Sequence, residues 1–233
     1  MRLPTTAAKL LAGLSILTVF VGASASKDGT RPRVEIRTEL GSMVVELYNE
    51  TPLHRDNFLK LVREGRYDSL LWHRVIPAFM IQGGDMDSRN ALSGAALGNG
   101  GPGYTVPAEF VPALIHKKGA LSAARAPDQV NPEKASSGSQ FYVVQGKSWQ
   151  PNELQMLVER KNRGLATPRY GYTPDQIAAY TRMGGAPHLD GDYTVFGEVV
   201  EGIDLVDRIA SVACDQNDRP LTDLHMYMRV LKP

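Results

Sequence analysis

From about residue 33 onward, hydrophobic and polar positions alternate. Val34 and Ile36 stand between Arg33, Glu35 and Arg37, the period of two expected of a strand with one buried face. The run Glu39-Leu40-Gly41-Ser42 leads into Met43, Val45 and Leu47, again at alternate positions, so the two runs read as a hairpin. The period then changes. Thr51-Pro52 opens a helix, because proline's fixed φ suits the first helical position and threonine can cap the free amides. Its expected core stripe is Leu53, Phe58, Leu61 and Val62, and Gly65 closes it.

Short apolar runs follow at residues 71–76, 80–82, 120–124 and 141–144, separated by Gly, Pro and Asn clusters; this spacing predicts a closed or sandwich-like β region. Further strands are expected at 193–199 and 225–231, with a short helix around 203–210 turning Val206, Ile209 and Ala210 inward. Residues 151–185 break the pattern. Asn152 with Gln155 resembles a cap and its return partner, ahead of Leu154, Leu157 and Val158 at helical spacing. Thr173-Pro174-Asp175-Gln176 repeats the start signal and Gly184-Gly185 stops it, so the segment reads as a helical hairpin inserted in a mainly β domain and packed on its edge.

Composition narrows the function. The chain has 233 residues, 42% of them hydrophobic, which is ample for a packed core. With 26 basic and 25 acidic residues the net charge is +1, so a polybasic binder of nucleic acid or anionic membrane is excluded. The single cysteine, Cys214, excludes an internal disulfide and a thiolate metal cage. Residues 1–25 differ in kind: Arg2 and Lys9 precede an apolar stretch at 10–21 and the small residues Gly22-Ala23-Ser24-Ala25. This reads as a secretory signal peptide cleaved after Ala25, the stretch being too short to span a bilayer. Residues 26–32 then form a flexible segment and 33–233 the folded domain, an exported protein that is periplasmic or secreted.

Most candidate motifs lose their chemistry on inspection. Gly98-Asn99-Gly100-Gly101-Pro102-Gly103 satisfies G-x-G-x-x-G without the strand before and helix after that a dinucleotide site needs, and reads as a loop. The five histidines show no i, i+4 pair, and no metal or cofactor is expected. Gly138-Ser139-Gln140 lacks the nucleophile-elbow pattern. The informative stretch is Trp72-His73-Arg74-Val75-Ile76-Pro77-Ala78-Phe79-Met80-Ile81-Gln82-Gly83-Gly84-Asp85, which brings a cation, an aromatic ring, a thioether and an amide close together. Strand alternation predicts Arg74 and Ile76 on one face and, after the bend at Pro77, Met80 and Gln82 on another.

That stretch resembles the cyclophilin-type peptidyl-prolyl isomerases, with Trp72 in place of a Phe. The resemblance continues in Gly119-Ala120-Leu121-Ser122-Ala123-Ala124, in Gly138-Ser139-Gln140-Phe141-Tyr142, and from His188-Leu189-Asp190-Gly191 through Thr194-Val195-Phe196-Gly197-Glu198-Val199. It implies a closed eight-stranded antiparallel barrel capped by two helices, with the substrate groove on its outer face and residues 151–185 as an addition. It also implies roles for individual residues. Arg74 would act as the catalytic donor to the proline nitrogen, with Gln82 orienting it. Phe79, Met80, Tyr142 and Leu189 would grip the proline ring. His73 and Gln140 would line the groove, and Ala124 and Arg125 would offer backbone groups. For His73, Gln140 and Arg125 a purely structural role stays open. His188 and Tyr193 complete the substrate-binding set.

This sequence departs from the better-known eukaryotic pattern at His188 (Trp there), Tyr193 (His), Arg125 (Asn) and Tyr142 (Phe). Weak binding of cyclosporin is expected from the first of these. The implied partners are proline-containing polypeptide clients acted on by a monomer, without nucleic acid, cofactor or membrane insertion after signal cleavage. The alternative from another class is a proline-peptide-binding module or holdase chaperone with little turnover.

Overall fold

The alternating runs become β1 (Arg33–Thr38) and β2 (Gly41–Leu47), paired antiparallel with Val34 opposite Val45 and Ile36 opposite Met43. Their alternate apolar side chains are buried as the period of two requires. The computed structural model describes residues 29–232, and the signal-peptide reading of residues 1–25 lies outside them. Eight further strands follow: β3 (Leu70–Ile76), β4 (Met80–Gly83), β5 (Thr105–Val106), β6 (Ala120–Ala123), β7 (Ser136–Ser137), β8 (Phe141–Val144), β9 (Val195–Glu201) and β10 (His225–Val230). Eight of the ten close into an antiparallel barrel in the order β1-β10-β3-β4-β8-β6-β9-β2, while β5 and β7 pair separately. Two-residue strands carry no readable period, which is why β5 and β7 escaped the sequence pattern.

Two helices share the barrel's core. From α1 (Pro52–Arg63) come Phe58, Leu59, Leu61 and Val62; the last helix, around residues 204–210, adds Leu205, Val206, Ile209 and Ala210. Two expectations for α1 fail. Leu53 is 51% exposed. His54 takes the inward position instead, because Glu109 Oε2 at 2.7 Å from Nδ1 and Ser136 Oγ at 2.9 Å from Nε2 satisfy its ring. The buried Thr51 hydroxyl does not cap the helix. Glu109 does so from outside, its carboxylate accepting the backbone N–H of Leu53 at 3.1 Å and of His54 at 3.0 Å. Gly65 closes the helix at φ +63°, as expected.

The insertion is a helical pair, α2 (Pro151–Asn162) and α3 (Pro174–Arg182), and the chain's last helix is α4 (Asp204–Ala210). The start of α2 differs from the expected Asn152–Gln155 box: Gln150 precedes Pro151 as the cap, and its N–H donates to Glu153 Oε2 at 2.7 Å. The start of α3 follows the sequence signal, with Thr173 and Gln176 exchanging side-chain and backbone hydrogen bonds. Leu154 and Tyr180 pack with Ile115 in a small core of their own against the barrel. Residues 98–103 are a loop, as read. Among the described residues no helix is long and apolar enough to cross a membrane.

Candidate functional site

The site begins with the register of β3 and β4. Arg74 lies opposite Gln82 and Ile76 opposite Met80. Cross-strand partners share a face, so Arg74, Ile76, Met80 and Gln82 all lie on one side, which corrects the two-face expectation. The connecting turn tightens at Pro77-Ala78, where Phe79 N–H donates to Ile76 O at 3.1 Å and Ala78 adopts φ +58°. That turn is anchored from β8's exit. Gln145 and Gly146 both donate backbone N–H groups to Phe79 O at 3.0 Å, and Gln145 Oε1 accepts Ala78 N–H at 2.7 Å. Gly146 sits at φ +68°, and a Cβ there would collide with the backbone of Gly185. The end of the insertion is thus pressed against the loop that holds Phe79.

β4 pairs with β8, placing Gln82 opposite Tyr142 and Met80 opposite Val144. Ala124 and Arg125 follow directly after β6, Leu189 ends a single 3₁₀ turn (Pro187–Leu189), and Tyr193 precedes β9. Together Arg74, Phe79, Met80, Gln82, Ala124, Arg125, Tyr142, Leu189 and Tyr193 line one solvent-open cavity of about 320 Å³. Nine of the twelve residues singled out in the sequence therefore meet in one place. Its floor is a second apolar cluster in which Met80, Tyr142 and Leu189 pack with Tyr48, Ala186 and Val195.

At the rim, Arg74 is 45% exposed. Its Nη1 is 3.4 Å from Gln82 Oε1, and its Nε is 3.5 Å from a carboxylate oxygen of Asp218. Gln82 Nε2 donates to Gln140 Oε1 at 3.0 Å, and Gln140 Nε2 donates to Gly98 O and Gly100 O at 2.9 and 2.8 Å. A polar chain so runs from the guanidinium to the glycine loop, which is held in turn by the Asp85 carboxylate accepting Gly98 N–H. Gln140 lies outside the apolar cavity and lines the adjoining depression between the glycine loop and residues 124–127.

The other two residues stand apart. His188 is exposed and touches the site through Phe79, ring centroids 5.4 Å apart at 36°. His73 is not a groove residue: it is buried, neither ring nitrogen makes a hydrogen bond, and burial pushes its pKa down to about 4. Arg125 is committed structurally, its Nε donating to Asp192 O at 2.8 Å and its guanidinium lying 4.4 Å over the Tyr193 ring. Asp218 was missed in the sequence, being far from Arg74 along the chain with no spacing to betray it; its backbone carbonyl also accepts Val75 N–H at 2.8 Å. An apolar notch with a guanidinium at its lip can hold a nonpolar ring and donate to an atom just above it.

Comparison with known proteins gives a consistent picture. A family model described as cyclophilin type peptidyl-prolyl cis-trans isomerase/CLD matches residues 33–229. A Streptococcus pyogenes serotype M6 protein named as a bifunctional phosphatase/peptidyl-prolyl cis-trans isomerase is 36% identical over 201 residues, which is 85% of this chain and 38% of that relative. This chain thus spans well under half of that protein's length. A Staphylococcus aureus (strain USA300) protein named as a peptidyl-prolyl cis-trans isomerase is 33% identical over 193 residues, 82% of this chain and 87% of the relative. Among solved structures, a Cryptosporidium parvum cyclophilin type peptidyl-prolyl cis-trans isomerase superposes with TM-score 0.62 at 22% identity, covering 87% of this chain and 99% of the other. A structure of the same protein in the presence of the dipeptide Ala-Pro gives 0.61 at 23% identity, covering 86% and 99%.

Proposed function

Because this chain belongs to the cyclophilin-type peptidyl-prolyl cis-trans isomerase family, we propose that it accelerates rotation about X–Pro bonds of polypeptide clients without covalent chemistry. Unaided rotation crosses a barrier of about 18–20 kcal/mol, because twisting the amide removes its resonance. In the twisted state the proline nitrogen becomes pyramidal and its lone pair can accept a hydrogen bond, which it cannot do in either planar isomer. A donor fixed at that point binds the transition state in preference to the ground state. Arg74 supplies such a donor, its guanidinium carrying five N–H groups. Phe79, Met80, Tyr142 and Leu189 hold the proline ring while the rest of the peptide turns, and Gln82 orients the guanidinium. Tyr193 and the backbone at Ala124 and Arg125 flank the residue before proline.

One observation carries this reading: Arg74 shares a cavity with the apolar grip, and its nearest partners, at 3.4 and 3.5 Å, leave donors free. The reading is tested by following isomerisation of a proline tetrapeptide with the wild-type protein and with Arg74→Ala. Turnover by the wild type that falls by about 100-fold in the variant supports it. Tight client binding with negligible wild-type turnover would instead establish a holdase. We also propose that the protein is exported as a monomer after cleavage at Ala25; the support is the charge and apolar pattern of residues 1–25. N-terminal sequencing of protein from fractionated cells, with light scattering of the purified product, tests both points.

A further inference from the structure

The inserted segment reaches the cavity floor through the carboxylate of Asp190, whose side chain is 12% exposed. Asp190 Oδ1 accepts His116 N–H at 2.9 Å and His116 Nδ1–H at 2.7 Å, and Oδ2 accepts the hydroxyls of Tyr172 at 2.8 Å and Tyr180 at 2.5 Å. Tyr180 lies on α3 and Tyr172 just before it, so the insertion supplies two of the four donors. Burial alone would raise the Asp190 pKa, but the His116 ring and backbone with Tyr180 outweigh it and hold the carboxyl below its ordinary value, ionised.

A carboxylate can only accept, so His116 carries a proton on Nδ1 and donates it to Asp190. Its other ring nitrogen, Nε2, is hydrogen-bonded to the hydroxyl of Tyr142 at 3.0 Å. The His116 side chain is 0% exposed, and its ring stacks on Tyr142 with centroids 6.1 Å apart and planes at 13°. Tyr142 is the one member of this chain of contacts whose ring also lines the Arg74 cavity.

We propose that the insertion is a positioning device for the proline site: Tyr172 and Tyr180 clamp Asp190, Asp190 orients His116, and His116 fixes the Tyr142 ring against bound proline. His116 and Asp190 are positioning residues, since neither lines the Arg74 cavity. The inference rests on the proline-binding reading of that cavity. It also accounts for the hydroxyl at position 142, where the family resemblance has Phe: the hydroxyl is the handle by which the relay holds the ring.

The test is a double-mutant cycle on the mature chain, reading kcat, KM and the dissociation constant of a proline tetrapeptide. Tyr142→Phe and Asp190→Asn should each raise KM and Kd about fivefold with a smaller change in kcat, and the double variant should be no worse than either. If Asp190→Asn does not fold, His116→Phe breaks the same relay at its middle and takes its place in the cycle. Effects that multiply in the double variant, or single variants with unchanged KM and Kd, overturn the proposal. Absent turnover with the predicted Kd pattern would remove the isomerase reading and leave the relay standing; turnover lost on Arg74→Ala with no coupling in the cycle would do the reverse.

Discussion

The two sides of the cavity are held in opposite ways. On the Arg74 side the guanidinium is half exposed and its contacts, to Gln82 and Asp218, are 3.4 and 3.5 Å long. On the Tyr142 side the contacts through His116 to Asp190 run from 2.7 to 3.0 Å, and His116 is fully buried. Short hydrogen bonds to a charged acceptor out of water fix geometry; long, solvated ones permit adjustment. The contrast matches what amide rotation demands. Under the proposed mechanism the proline ring is gripped in one place while the donor follows a nitrogen whose lone pair changes direction.

Replacing the charged groups on the two sides should bring this difference out. Asp190→Ala leaves His116, Tyr172 and Tyr180 without their common acceptor, and should lower unfolding free energy by about 3–5 kcal/mol in urea titration. Next in size is a pH effect belonging to neither wall. His73, with a folded pKa near 4 against an ordinary 6.5, binds its proton more readily when unfolded. Stability should therefore hold above pH 6.5 and fall as pH drops from 6.5 toward 4, by up to about 1.4 kcal/mol per pH unit, with a shallower slope in His73→Gln. On the open wall, Gln82→Ala should reduce kcat/KM about tenfold, worth about 1.4 kcal/mol, without a comparable loss of stability. The smallest effect belongs to Asp218→Ala: exposed as the Arg74 pair is, unfolding free energy should change by less than about 1 kcal/mol. A large loss of stability there, or none on Asp190→Ala, would erase the contrast.

The open wall was legible in the sequence and the buried one was not, for a physical reason. Arg74, Phe79, Met80 and Gln82 lie within one stretch of two strands, so local alternation and motif spacing bring them together. One local error was the face of the hairpin, because Pro77 suggests a bend and the register of Arg74 with Gln82 is set by pairing across it. His116 and Asp190 are 74 positions apart and meet only when the barrel closes. Asp190 was visible solely as part of a family motif, and His116 as a histidine without a partner at helical spacing. Leu53 and His54 make the same point on α1. Hydropathy alone turns the leucine inward, yet Glu109 lies 55 positions beyond His54 and makes the histidine the better buried residue. His73 was drawn into the groove by its place beside Arg74, although successive side chains on a strand point to opposite faces.

The central claim is that Arg74 favours the twisted imide over both planar isomers. It is tested most directly by NMR exchange on a proline tetrapeptide bound to wild type and to Arg74→Ala, yielding the on-protein cis–trans rate and the dissociation constant together. The prediction is a fall in the exchange rate of about 100-fold with Kd changed by less than about threefold, the signature of a contact made only in the transition state. A rate that survives the substitution, or a Kd that weakens as much as the rate falls, would contradict it.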